Sequence, residues 1–253
     1  MSAPVFLGDP EELADARPGT TLTVRGREGR HAVAVRRLRP GETVDVVDGD
    51  GTRARGAVVT AAGDELTVQV EDVTREPEPR VRLTLVQALA KGSRDEDAVE
   101  AATEVGIDAV VPWQSERCVS VWAGPKAARG RDRWRAVALA AAKQSRRARV
   151  PHVADLVQGR ALLPLVEEVI AAGGSVLVLH EEATAPLATA ALPAGEGEVL
   201  LVVGPEGGLS EQEVSELAER GAAVVRLGPH VLRTSTAGPV AAALLAQRLG
   251  RWG

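Results

Sequence analysis

Three short runs of this sequence hold residues able to meet a polar or charged ligand. They are His180-Glu181-Glu182, Gly204-Pro205-Glu206-Gly207-Gly208, and Leu227 through Ala237 (LGPHVLRTSTA). In the second run two adjacent glycines follow a Pro-Glu pair. A tight turn needs only one glycine, whereas two also permit close backbone approach to a ligand. Phosphate is a poor candidate, because a phosphate loop carries Lys and Ser/Thr in G-x-x-x-x-G-K-[ST], a motif the chain lacks. The loop presents the carboxylate Glu206 instead, which repels phosphate and tolerates a cation. S-adenosylmethionine, with its sulfonium and ammonium, is such a ligand; a plain turn is the alternative. Arg233 in the third run is either a salt-bridge partner or a group that grips a phosphate or orients a planar base.

The elements around these runs suit such a site. From residue 81 onward strands and helices alternate: VRLTLVQAL, then SRDEDAVEAATEVG, DAVVPW, DRWRAVALAAAKQS, SVLVLH, EVLLVVG, SEQEVSELAERG, AAVVRLG and TAGPVAAALLAQRLG. The continuous apolar runs at 175–180 and 198–204 fit strands of a parallel sheet buried on both faces. The alternation predicts an α/β domain with helices on both sides. Ligands of such sheets bind at the carboxyl ends of the strands, where all three runs lie. Ser210 with Glu213 forms a capping box, so a helix starts directly after the glycine pair. Thr234, Ser235 or Thr236 is expected to cap the last helix, with Gly238-Pro239 in its first turn.

Residues 1–73 read differently, as short alternating strands punctuated by glycine, with Asp48-Gly49-Asp50-Gly51 as a hairpin turn. That turn fits G-x-G-x-x-A through Gly49, Gly51 and Ala54, but no helix follows, so a dinucleotide site is rejected. His31 to Leu38 reads as a short helix carrying Arg36 and Arg37. Residues 74–80 (TREPEPR) read as a linker, and 81–253 as the second domain.

The chain has 253 residues, 45% of them hydrophobic and 26% charged, an ordinary soluble composition without a membrane-spanning run or a secretory signal. The lone Cys118 fits a reducing cytoplasm and a structural thiol. The four histidines show no metal-ligand spacing, so no metal is expected, and no G-x-S-x-G marks a hydrolase. Aromatics are 2% of residues, which excludes base stacking as the main mode of nucleic-acid contact. The net charge of −5 conceals two basic segments. Seven arginines stand against one acid between Arg17 and Arg39, and nine basic residues against one acid between Lys126 and Arg149. Such segregation points to a polyanion partner, with solvated faces as the alternative.

GPEGGLSEQEV (204–214) and LGPHVLRTSTA (227–237) resemble the two C-terminal signatures of the bacterial RsmE family, S-adenosylmethionine-dependent 16S ribosomal RNA (uridine-N3) methyltransferases. QALAKGSRDEDAVEAATEVGIDAVVPWQSERCV (87–119), RWRAVALAAAKQSRRARVP (133–151) and HAVAVRRLRPGETVDVVDGDG (31–51) are similar to three further blocks of that family, in order along nearly the whole chain. Three positions depart from its pattern. Ser235 stands where the family usually has Glu, Ala101 where it has Lys, and Ser93 where it has Asp. Ser235 removes a carboxylate, which puts in doubt a mechanism that uses that position as a base.

The resemblance implies a SPOUT-type α/β domain whose C-terminal segment threads a trefoil knot, preceded by a small PUA-like RNA-binding domain. Pattern reading alone gives an unknotted doubly wound sheet. The resemblance further implies a cytoplasmic homodimer acting on 16S rRNA or the small ribosomal subunit, with neither membrane nor metal. The stripe Val240, Leu244, Leu245 and Leu249 suits dimer packing or a core face. The implied cofactor residues are Leu179, His180, Glu181, Val203, Gly204, Pro205, Glu206, Gly207, Gly208, Leu227, Gly228, Val231, Leu232, Arg233 and Thr234. Glu206, as cofactor-orienting group or proton acceptor, and Arg233, as stabiliser of developing negative charge, are the expected catalytic pair. Arg25, Arg36, Arg37, Arg131, Arg133, Arg146 and Arg147 are the expected phosphate contacts. A non-catalytic RNA-binding or ribosome-assembly protein of the same fold is the competing reading, and a nucleotide- or NAD-dependent enzyme a third.

Overall fold

The computed structural model describes residues 3–252, in two compact units. The first contains residues up to Glu78 together with Ala142–Val150. Its elements are β1 (Val5–Leu7), α1 (Pro10–Ala14), β2 (Thr21–Val24), α2 (Gly26–Arg30), β3 (Thr43–Val47), β4 (Thr52–Ala62) and β5 (Glu65–Arg75). They build one sheet in the order β1-β3-β4-β5-β2. The expected hairpin joins β3 to β4, and the Asp48 carboxylate accepts from the amides of Asp50 and Thr52 across the turn. Phe6, Leu13, Leu22, Val44, Leu66 and Val68 fill the core. The helix expected at 31–38 begins earlier, as α2, and continues through a π-helical turn over His31–Val35.

Two boundaries differ from the sequence reading. Strand β5 runs to Arg75 because Arg75 pairs with Thr52, so the expected linker loses its first two residues to the sheet. Residues 142–150 belong to the first unit rather than the second. Ala148 is buried with Val5 and Val47, Lys143 holds Glu28 at 2.7 Å, and Arg149 pairs with Asp50 at 2.9 Å. These partners lie more than ninety positions away along the chain.

The second unit alternates strands and helices, as expected. It holds β6 (Val81–Ala88), α3 (Arg94–Val105), β7 (Ala109–Gln114), α4 (Pro125–Gln144, its end in the first unit), β8 (His152–Val153), β9 (Val157–Gln158), α5 (Leu163–Ala171), β10 (Ser175–Leu179), β11 (Gly197–Val203), α6 (Glu211–Glu219), β12 (Ala223–Val225) and α7 (Thr234–Arg248). All pairings in its sheet are parallel, in the order β12-β10-β11-β6-β7-β8, with β9 also beside β7. Cores on both faces explain the uninterrupted apolar runs of β10 and β11. Leu177, Val199 and Leu201 meet Val99, Trp134 and Leu245 on one face, and Val176, Leu200 and Val202 meet Val166 and Leu217 on the other. Helix α5 and the short β8 and β9 are absent from the sequence reading.

Trp113, Trp122 and Trp134 are buried, which makes them core rather than stacking platforms; Trp252 is half exposed. The Cys118 thiol is half-buried, and burial pushes its pKa up. Among the described residues no helix is long and apolar enough to cross a membrane, and no cluster of His, Cys, Asp or Glu could hold a metal.

Candidate active site

The loops after β10, β11 and β12 meet around one cavity of about 400 Å³ at the carboxyl edge of the sheet. Every cofactor residue expected from the sequence lines it except Gly207. Gly208 adopts a left-handed conformation (φ 68°) as the chain turns back, and its amide donates to the Pro205 carbonyl at 2.9 Å. Gly207 faces the other way. A Cβ built there would meet the Cβ of Arg117 at 3.4 Å, an ordinary contact, so this glycine borders protein rather than the cavity. The Arg117 guanidinium donates to the carbonyls of Gly207 and Leu209 and so fixes the loop from outside. The expected capping box follows: Ser210 Oγ accepts from the Glu213 amide, and the Glu213 carboxylate accepts from the Ser210 amide.

Glu206 is held by the loop after β6. Its Oε1 accepts from the Lys91 amide at 3.0 Å and from Arg94 Nη1 at 3.1 Å. Burial pushes this carboxyl up, but the amides of Glu206 and Lys91 and the Arg94 guanidinium outweigh it and hold the pKa below the usual carboxylate value. The loop-ordering contribution of Glu206 is therefore present above the ordinary carboxylate pKa and disappears as the pH falls through the lowered one. A carboxylate so stabilised is a poor proton acceptor at neutral pH.

Arg233 stands exposed at the start of α7, with no acidic partner among the described residues. Arg226, also exposed, stands on the same wall. Thr234 does not cap α7. Its hydroxyl donates to the Gly204 carbonyl at 2.7 Å, accepts from Gln87 at 2.9 Å, and so joins the second and third loops. No side chain caps α7, and Pro239 lies inside the helix rather than in its first turn. The expected stripe on this helix divides, with Leu245 in the core and Val240 and Leu244 exposed. Arg94, Gln87 and Arg117 are absent from the sequence reading, and each reaches the site from a strand end distant in sequence. The KGSR and SERC blocks were the available signal.

The basic residues separate into two groups. Arg25 pairs with Glu12 at 2.9 Å and Glu65 at 3.4 Å, Arg131 with Asp155, and Arg133 with Glu96 at 2.5 Å. Arg36, Arg37 and Arg146 are exposed without an acidic partner among the described residues, and Arg147 is half-buried. The two basic segments thus offer fewer free cations than their composition implies.

Comparison with known proteins places the chain in a family. An RNA methyltransferase domain matches residues 76–246, and an RNA methyltransferase PUA domain matches residues 24–71. The chain is 47% identical over 234 residues to the ribosomal RNA small subunit methyltransferase E of Mycobacterium bovis, covering 92% of this chain and 89% of the relative. It is 32% identical to the protein of that name from Bacillus subtilis, covering 86% of each. The crystal structure of a ribosomal RNA small subunit methyltransferase E from Neisseria gonorrhoeae bound to S-adenosyl methionine superimposes with a TM-score of 0.84, at 27% identity and 98% coverage of both chains. With its strand-end loops, its two matched domains and these relatives in agreement, the chain belongs to the ribosomal RNA small subunit methyltransferase E family.

Proposed function

We propose that this protein methylates N3 of a uridine in 16S rRNA of the small ribosomal subunit, using S-adenosylmethionine bound in the cavity at 179–181, 203–208 and 227–234. The observation that carries this reading is the convergence of three sequence-distant loops on that one cavity. The residues fit the cofactor. Glu181 and Glu206 tolerate its cationic groups, the left-handed turn at Gly208 bares backbone, and the space beside Gly228 is open, with no atom within 4 Å of a Cβ built there. When bound, S-adenosylmethionine supplies an electrophilic methyl group on a sulfonium.

The protein's part is alignment and charge. Uracil N3 lies on the Watson–Crick edge and carries a proton, so the base must be unpaired and must lose that proton. Arg233 cannot accept it but can stabilise the negative charge that develops on the uracil oxygens. Glu206 keeps the second loop in place. Replacing Glu206 by Gln is expected to leave the limbs of the pH–rate profile unchanged and to raise the KM for the cofactor about twofold to fivefold, the value of an exposed ion pair. Disappearance of the acid limb would instead make Glu206 the base.

Threading of the chain as a trefoil knot is part of this reading. The segment Ala185–Ala190 is flanked on one side by Arg226, bridged to Pro186, and on the other by Arg248 of α7, which donates to the Leu187 and Ala190 carbonyls. The last helix thus runs beside the loop it would have to pass through. Exposed Val240 and Leu244 favour a homodimer.

RNA contacts are assigned first to Arg36, Arg37 and Arg146, which have no acid to displace. Reversing Arg36 and Arg37 together should weaken RNA binding and reduce the salt slope by roughly two phosphate contacts. The same reversal at paired Arg131 and Arg133 should change the slope less. Equal slopes in titrations of all variants would return the arginines to a solvated face. The function itself is tested by incubating small subunits from cells lacking the protein with cofactor carrying a deuterated methyl. Nucleoside mass spectrometry should find deuterated 3-methyluridine. Cofactor binding without methyl transfer favours the assembly-protein reading, and deuterated methyl at another atom a different specificity.

A further inference from the structure

Gln87 is the last residue but one of β6, in register with Val203 of β11 and Pro112 of β7, and it is completely buried. Its Nε2 donates to the Ala88 carbonyl at 3.1 Å and to Thr234 Oγ1 at 2.9 Å. The Thr234 hydroxyl has a single proton, which it gives to the Gly204 carbonyl at 2.7 Å. The direction of this chain is therefore fixed: amide N–H to hydroxyl, hydroxyl to carbonyl. Gly204 opens the loop that carries Glu206, and Thr234 directly follows Arg233. Gln87 Oε1 has no partner although it is buried, and it faces Gly238, where a Cβ would stand 3.5 Å away in ordinary contact. A buried acceptor left unpaired is costly. A position chosen for packing alone would be filled without that cost by an apolar side chain.

We infer that Gln87 is a positioning residue whose donated hydrogen bond, relayed through Thr234, sets the register between the Gly204 loop and the start of α7 and thereby the affinity for the cofactor. The inference rests on the proposed cofactor pocket. Donation is essential, so Gln87→Glu is the decisive variant. It keeps the shape but offers an acceptor, which draws the Thr234 proton away from Gly204. A carboxyl buried there has its pKa raised and regains a donating O–H when protonated.

S-adenosylmethionine affinity is measured by calorimetry on the full chain, with near-ultraviolet circular dichroism reporting the folded fraction at each pH. At about pH 8 Gln87→Glu should bind about tenfold to a hundredfold more weakly than the wild type, and most of that loss should vanish by about pH 6. Gln87→Met, which leaves the Thr234 proton on Gly204, should lose less than Gln87→Glu. Should Gln87→Glu fail to fold, Thr234→Val should lose affinity and Thr234→Ser retain it. Affinity of folded Gln87→Glu within twofold of wild type at the higher pH, or a loss that does not recover at the lower pH, overturns the relay. Equal affinities of Thr234→Val and Thr234→Ser do the same. A wild-type chain without measurable affinity overturns the cofactor reading itself, and the relay with it.

Discussion

Arg233→Met should lower kcat about 10²- to 10³-fold while changing cofactor affinity by less than about threefold, the signature of a donor that acts on charge present only in the transition state. The expectation follows from its place. Arg233 lies at the end of the third loop on the cavity wall, exposed and without a carboxylate to neutralise it. Thr234 beside it is anchored in the core, so the backbone that presents the guanidinium is fixed although its side chain is free. Two results separate the possible roles in single-turnover assays. A kcat loss at saturating RNA identifies a group that stabilises the uracil anion. A raised KM for RNA with unchanged kcat and a shallower salt dependence identifies a phosphate contact instead.

The second large effect concerns stability. Trp134→Ala should destabilise the second unit by about 3–5 kcal/mol, read as a lowered urea midpoint. Trp134 is fully buried on α4 and meets Trp122 edge to face, with ring centroids 5.3 Å apart. Gly130, one turn earlier, has no side chain because a Cβ would stand 2.5 Å from the Trp122 ring. The site is thus tightly packed and poorly able to collapse around a missing indole. Trp134→Phe should cost less, since it keeps a ring in contact and removes an indole N–H that has no partner. A loss below about 1 kcal/mol for the alanine variant would show that this packing is dispensable. The same residues explain why the arginine-rich stretch around Trp134 is a core helix with charged outer positions rather than an aromatic platform for RNA.

Much of the architecture was legible because it is written in local signals. The continuous apolar runs at 175–180 and 198–204 supply neighbouring parallel strands. Ser210 and Glu213 are three residues apart and met as a capping box. The stretch SRDEDAVEAATEVG ends at Gly106, and Gly106 caps α3 in the left-handed conformation. What was not legible depends on partners far away in sequence. Thr234 has the composition of a cap but found Gln87 and Gly204 instead. Gly207, the first glycine of the pair, reads as ligand space in the sequence, yet Arg117 stands on that side. Arg131 and Arg133 read as free positive charge until Asp155 and Glu96 came beside them. Residues 142–150 begin within the helical stretch DRWRAVALAAAKQS, but Lys143 and Arg149 reach acids more than ninety positions earlier, and this assigns them to the first unit.

The most direct test is a crystal of the full chain grown with S-adenosylmethionine. The donor should lie against the backbone of Gly204–Gly208 and Leu227–Thr234, its methyl group turned toward the opening beside Arg233. A donor bound anywhere else, or these loops filled by their own side chains in its presence, would contradict the account.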